Sequence, residues 1–490
     1  MMLDQLDTAT LEEIAGALDR RALSSRELVE AHVARISAHD ARLGAIIELN
    51  PDAVAIAEQR DAERAKGDLR GPLHGIPVMV KDNLDTGDRM MTTAGSLALD
   101  GHRAATDSHV VHLLRAAGAI ILAKTNLSEW ANFRSTRSSS GWSSRGGQTR
   151  NPHDTARTPS GSSSGSAVAV AAGYCAAAIG TETDGSIVSP SAVNGVVGLK
   201  PTVGLVGRSG IIPIAHSQDT AGPMTRTVAD AAFMLGVIAG TDPRDPMTAS
   251  ADQHRQDYGA ALDPAGLRGA RLGVARAYCG YHDQVDRLLE DAIRALKEAG
   301  AMVIDPIALP AADEIRPHEA VVMQTEFKHG LAAYLATTDA AIRDLGDLIA
   351  FNRSHAATVM PHFAQERLEA AYERGDLDDA TYLEALATCR RLARDEGIDA
   401  ALARDRLDAI IAPTTAPACL IDWLCGDNRL GGASCPTAVS GYPHLTLPMG
   451  FVRHLPVGLS FLAGAYEESK LIRLAFAFEQ HTRHWQPPTL

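Results

Sequence analysis

Hydrophobic positions change their spacing several times along the chain, and each change predicts a different kind of element. The first 65 residues read as helices. Thr10-x-x-Glu13 and Ser24-x-x-Glu27 both have the form of a capping box, in which a hydroxyl and a carboxylate exchange hydrogen bonds with backbone N–H groups. Each opens a segment with apolar residues at helical spacing. In GPLHGIPVMVKDN, Gly75 and Pro77 punctuate the chain, and Val78-Met79-Val80 reads as a short buried strand ending at Lys81. HVVHLLRAAG reads as an amphipathic helix closed by Gly118, and AIILAK as the next strand. GSAVAVAAG predicts a helix of small residues packed tightly against its neighbours, AAAIGT a central strand, and GVVGLKP a continuation of the core. Residues 312–408 are long, charged and helical in texture, an excursion beside the sheet. DAIIAPTT and HLTLPMG return as strands, and KLIRLAFAFEQHTR is the last helix. Apolar strands alternating with helices place the chain in the α/β class.

Composition narrows the functions available. The chain has 490 residues, 45% of them hydrophobic and 22% charged, within the ordinary globular range. A formal net charge of -14 argues against a nucleic-acid binder, which needs a basic surface. No apolar run approaches the roughly 18 residues of a membrane helix, and MMLDQLDTATLEEIAGALDR lacks the basic-then-apolar form of a secretory signal. Six cysteines without a CxxC pair argue against a disulfide framework or a zinc ribbon. The expectation is a cytoplasmic enzyme with free thiols, monomeric or homodimeric, without nucleic-acid or membrane partners.

The stretch PSGSSSGS, residues 159–166, could be a flexible linker or a loop that positions a hydroxyl. Strand and helix signals run straight through on both sides, so it reads as a loop inside one core. Within it, Gly161-Ser162-Ser163-Ser164-Gly165 matches the G-x-S-x-G nucleophile elbow, which would make Ser163 the nucleophile. That elbow needs an apolar strand just before it, and NPHDTARTP is polar and broken by proline. A Ser-His-Asp triad has no anchor in the sequence, since nothing ties one of the 18 histidines to a serine. His109-x-x-His112 lacks a third ligand and reads as solvated helix surface, so no metal is expected. A third possibility joins Lys81, Ser162 and Ser186. Ser186 lies at the exit of a turn in GTETDGSIVSP with Gly180 and Gly185 around it, where consecutive backbone N–H groups can converge on an oxyanion. A buried lysine can serve as base, because desolvation disfavours its ammonium form. Glu129 and Asp219 read as structural polar residues, and Trp130 as packing.

These segments together resemble the amidase signature family, the Ser-Ser-Lys amide hydrolases. The resemblance rests on GIPVMVKDN, AKTNLSEW, PSGSSSGSAVAVAAG, GTETDGSIVSPSAVNGVVGLKPT, SQDTAGPMTRTVAD and GYPHLTLPMG with LPVGLSF, and covers nearly the whole length. It implies Lys81 as base, Ser162 as a bridging serine after a cis peptide bond, and Ser186 as nucleophile. It implies an oxyanion hole made by the backbone N–H groups of Thr183, Asp184, Gly185 and Ser186, and no cofactor. The fold expected is one large α/β/α domain, residues 1–490, with a mixed twisted sheet covered by helices and the excursion beside the substrate entrance. Val188 stands where many relatives have arginine. That argues against a glutamine-dependent tRNA amidotransferase and suggests a site without a cationic partner. TETDGSIV, GLVGRSGIIPI, EFKHGL and LIAFNRSH look like the peptide amidase branch, so a C-terminal peptide amide is the expected substrate. An aryl acylamide, ester or carbamate hydrolase (a urethanase in the last case) with the same residues stays open, as does an ammonia-delivering amidotransferase subunit.

Overall fold

Burial on both faces governs the centre of this protein. The computed structural model describes residues 5–490. Its strands are β1 (Ile46–Leu49), β2 (Pro77–Lys81), β3 (Ile120–Thr125), β4 (Trp142–Ser143), β5 (Gly147–Gln148), β6 (Ala177–Glu182) and β7 (Val197–Lys200), followed by β8 (Thr220–Thr225), β9 (Arg271–Val274), β10 (Met302–Ile304), β11 (Ala409–Pro413), β12 (His444–Val452) and β13 (Leu455–Leu462). β4 and β5 form a small separate ladder, and the other eleven make one sheet in the order β1-β3-β2-β6-β8-β7-β12-β13-β11-β9-β10. The sheet is mixed: β2 lies parallel to β3 and β6, and β9 to β10 and β11, while the remaining pairs are antiparallel.

Because side chains alternate across a strand, each central strand feeds two cores. Val78 and Val80 of β2 enter one core with Ile121 and Ile179, whereas Met79 enters the other with Ile120, Leu122 and Ala178. The first core is closed by helices including Leu11–Asp19, His109–Ala116, Val228–Ile238, Asp283–Glu298 and Glu468–Thr482. The second is closed by Ser25–Leu43, Ala53–Lys66 and Ser164–Ala171. This is the single α/β/α domain the sequence led us to expect. Both anticipated capping boxes form, at Thr10 with Glu13 and at Ser24 with Glu27. One expectation needs correction: the first 65 residues are not all helical, since β1 pairs antiparallel with β3 at the sheet edge. Among the described residues, no helix is long and apolar enough to cross a membrane.

Residues 312–408 carry helices Ala312–Leu335, Leu345–Ser354, Ala356–Val359, Glu366–Tyr372, Ala380–Arg390 and Asp399–Asp405, with no strand among them. Phe327 and Leu331 of the first helix pack against Trp130, Phe133 and Ile212–Ala215, loops that rise from the sheet. Trp130 is buried and meets Phe327 edge-on at 6.5 Å, a packing role. A buried Arg134–Glu129 ion pair ties the same region together, Arg134 also donating to the carbonyls of Phe363 and Ala364.

The helix Ser164–Ala171 approaches the sheet without any intervening side chain at Gly165. A Cβ there would collide with the carbonyl oxygens of Ala45 and Asn126, which are backbone and cannot swing away. We expect Gly165→Ala to cost about 1–3 kcal/mol through overpacking. A thermal or denaturant midpoint equal to that of the parent protein would contradict this account of the contact.

Candidate active site

The ends of β2 and β6 lie side by side, and the chain leaves each through a short polar connection. Lys81, the last residue of β2, has no exposed surface. Its Nζ lies 2.7 Å from Ser162 Oγ, 2.8 Å from Thr181 Oγ1 and 3.2 Å from the Thr181 carbonyl. A neutral amine has two N–H donors and one lone pair, and three partners suit it: Thr181 can take both N–H groups while Ser162 donates its hydroxyl to the nitrogen. Burial pushes the Lys81 ammonium down to about 7, against the opposing pull of the Asp219 and Glu182 carboxyls. Lys124 and Lys200 are equally buried, yet they meet other partners. Lys124 donates to the Leu84 carbonyl and Thr92 Oγ1, and Lys200 to the Pro201 carbonyl. Among the described residues, Lys81 is the buried lysine that touches a serine hydroxyl.

Ser162 reaches this amine because its loop is pinned along its length. The Pro159 carbonyl accepts from Asn194 Nδ2 at 2.8 Å, the Ser160 carbonyl from Ser164 Oγ at 2.6 Å, and the Ser162 carbonyl from Ser128 N at 3.1 Å. The Gly161–Ser162 peptide bond is cis, the form the resemblance implies here. A Cβ on Gly161 would collide with Ser128 Oγ and displace it from the Gly141 N–H that it accepts. The neighbouring Ser163, candidate of the rejected elbow, is a staple. Its Oγ donates to the Thr181 carbonyl at 3.0 Å and accepts from Thr181 N at 3.2 Å, and its N–H donates to the Ser186 carbonyl at 3.2 Å.

That last bond joins the loop to the turn at Thr183, Asp184, Gly185 and Ser186, just beyond β6. Gly185 has φ +78°, a left-handed conformation costly for other residues. Glu182 Oε2 accepts from Ile187 N at 2.6 Å and Val188 N at 3.0 Å, which fixes the exit of the turn into the helix Val188–Asn194. Asp219 Oδ1 accepts from Thr183 Oγ1, while its Oδ2 accepts from Ile214 N and Ala215 N. Burial raises the Asp219 carboxyl to about 6. Among the described residues, no protein acceptor meets the backbone N–H groups of Thr183, Asp184, Gly185 or Ser186. A row of unspent N–H donors is suited to an oxyanion. Ser186 itself is only 7% exposed.

Two features were not legible in the sequence. Thr181, which supplies two of the three Lys81 contacts, sits two residues before the turn and reads as strand interior. Glu319, on the long helix Ala312–Leu335, accepts from Gln218 Nε2 at 2.9 Å, and Gln218 Nε2 also reaches the Thr183 carbonyl at 3.3 Å. The Arg316 and Arg367 guanidinium groups pull the buried Glu319 carboxyl down, against the burial that raises it. The pair His109 and His112 stays apart from the turn, His109 Nδ1 lying 3.7 Å from Asp242.

A buried amine–hydroxyl pair beside a turn of free N–H groups is equipment for adding a hydroxyl to a carbonyl. The Amidase family model matches residues 27–472, and the chain belongs to that family, whose members make it an amide-hydrolysing enzyme. A crystal structure of the peptide amidase PAM with the competitive inhibitor chymostatin is similar at 51% identity and TM-score 0.96, over 99% of each chain. A probable amidase of Arabidopsis thaliana is 40% identical over 99% of this chain and 92% of its own length. A glutamyl-tRNA(Gln) amidotransferase component of Moorella thermoacetica is 36% identical over 97% of each chain.

The staple role of Ser163 has its own consequence. Ser163→Ala leaves the buried Thr181 N–H without its partner, so stability should fall by about 1–3 kcal/mol. Turnover per folded molecule should persist. A variant as stable as its parent, or one folded but inactive, would show that Ser163 does something else.

Proposed function

We propose that this enzyme hydrolyses the terminal C–N bond of C-terminal peptide amides through an acyl-enzyme on Ser186. The observation that carries the reading is the 2.7 Å contact between buried Lys81 Nζ and Ser162 Oγ, beside the turn that bears Ser186. Neutral Lys81 takes a proton from Ser162 as Ser162 takes one from Ser186. Ser186 Oγ attacks the carbonyl carbon, and the electron pair moves to oxygen, where N–H groups of residues 183–186 hold it. Collapse breaks the C–N bond, and Ser162 returns a proton to the departing nitrogen, which leaves as ammonia. Water then attacks the ester by the same relay, releasing the acid and restoring Ser186. The scheme needs no metal or cofactor.

The 51% identity to a peptide amidase over 99% of both chains supports peptide amides as the substrate class. Anilides, esters and carbamates present the same carbonyl to the same groups. The 36% identity to an amidotransferase component supports a second reading, in which the chain delivers ammonia to a partner. Steady hydrolysis of a peptide amide by the isolated chain favours the first reading, and turnover of glutamine alone the second.

Ser186→Ala should abolish turnover and labelling by a sulfonyl fluoride. Lys81→Ala should lower kcat by about 100-fold or more, the usual range for loss of a general base. Since the buried amine loses its proton near 7, kcat/KM should rise with pH through about 7 with a slope of one proton. Below that value the ammonium has no lone pair to accept the Ser162 proton. An acid optimum, or near-parent rates in Lys81→Ala, would remove lysine from the mechanism.

A further inference from the structure

We infer that Glu319 is a positioning residue for the oxyanion turn, acting from the helical excursion through Gln218 on the Thr183 carbonyl. The inference rests on the proposed role of residues 183–186. The geometry is a chain of buried contacts. Gln218 is buried, and its Nε2 donates to Glu319 Oε1 at 2.9 Å and to the Thr183 carbonyl at 3.3 Å. Both N–H bonds of one amide group are thereby used, so the amide plane is fixed by the carboxyl on one side and the turn on the other. The Thr183 carbonyl and the Asp184 N–H belong to one planar trans peptide and point in opposite directions. Whatever fixes the carbonyl therefore aims the Asp184 N–H, one of the four candidate oxyanion donors. On the other side of Thr183, its hydroxyl is held by Asp219, the residue after Gln218.

The helix grips this segment twice. Glu326, two turns beyond Glu319 on the same face, accepts from Ser217 N and Ser217 Oγ at 2.9 Å each and from Tyr382 OH at 2.7 Å. Ser217, Gln218 and Asp219 are thus held in register by the helix and in turn hold Thr183. The helix thereby sets where the Asp184 N–H points.

The surroundings of Glu319 give the arrangement a pH signature. Asp184 faces it from the turn, Arg316 from its own helix, Arg367 from the helix Glu366–Tyr372, Cys389 from Ala380–Arg390 and Cys435 from the helix Cys435–Ser440. Burial, and then the charge of Asp184, hold the Glu319 carboxyl well above the carboxylate range, while the two arginines pull it down. Burial likewise raises both thiols, which stay neutral. A neutral Glu319 still accepts from Gln218 through a carboxyl oxygen. Once ionised, it sets a full negative charge one amide group away from a turn that must bind an oxyanion.

The test uses the full chain and N-acetyl-phenylalaninamide as substrate, with kcat and KM followed across pH. Glu319→Leu should lower kcat by about tenfold or more, the scale of one misaimed oxyanion donor, with KM within about threefold. Glu319→Gln should restore kcat at neutral pH and lack the alkaline fall that ionisation of Glu319 should give the parent enzyme. Gln218→Leu should reproduce the loss of kcat. An alkaline limb retained in Glu319→Gln would overturn the inference, as would a kcat in Glu319→Leu within twofold of the parent. If Glu319→Leu does not fold, the Glu319→Gln profile and Gln218→Leu still decide. Ser186→Ala distinguishes the two levels of argument. Its retained turnover would sink the reading of the turn itself, whereas its inactivity with an unperturbed Glu319→Leu sinks only the role of Glu319.

Discussion

Everything in this site depends on an amine that water cannot reach. In water an ammonium at neutral pH is a donor only, and it would hold the Ser162 hydroxyl without accepting anything from it. Lys81 escapes that state because β2 ends inside the protein, between β3 and β6, with all five strand residues buried. Burial alone would leave a polar group unsatisfied, at a cost of a few kcal/mol. Thr181 meets that need by offering its hydroxyl and its carbonyl from the adjacent strand. The parallel pairing of β2 with β6 is thus the structural source of the base we propose.

The same strand pair also locates the turn. β6 brings Thr181 to the amine and then runs directly into Thr183–Ser186, so the amine and the N–H donors share one origin. Ser163 ties the loop to both, through Thr181 and the Ser186 carbonyl. Small residues make this convergence possible. A side chain on Gly180 would crowd Ser163, and one on Gly165 would push the loop helix off the sheet. Loop, strand and turn are held by packing and hydrogen bonds at once, which is what preorganised chemistry requires.

Much of the fold was legible because β2, β3, β6, β11 and β12 are apolar runs with marked ends, and their flanking helices are amphipathic or rich in small residues. The strands that escaped had physical reasons to do so. β1 is four residues at a sheet edge between two strong helices, and its form follows from pairing with β3. β8, Thr-Ala-Gly-Pro-Met-Thr, contains two residues that disfavour strands. Gly222 belongs there because a Cβ would collide with the Leu199 carbonyl of β7, a close approach that only the assembled sheet reveals. At the site, Lys81, Ser162 and Ser186 stood out only as a combination of spaced segments. Glu319 could not, since it is one glutamate among many on a charged helix, and its significance comes from tertiary contact alone.

The charges around the turn show why such distant residues matter. Glu182, Asp184, Asp219 and Glu319 surround a group of N–H donors meant, on our reading, for an anion. Four carboxylates at close range would oppose that anion strongly in a medium of low dielectric. The structure counters this by several routes. Burial raises Glu182, Asp219 and Glu319, which shifts each toward its neutral form. Glu182 and Asp219 accept backbone N–H groups that draw their charge away from the turn. Arg316 and Arg367 supply compensating positive charge on the side of Asp184 and Glu319. Glu182 and Asp219 each hold a specific piece of backbone and Glu319 holds the Gln218 amide, and a hydrophobic replacement would free the group each holds. Precision of the donors is therefore obtained with acidic groups whose charge the fold must keep suppressed, and this ties the hydrolytic machinery to the helical excursion as firmly as to the sheet.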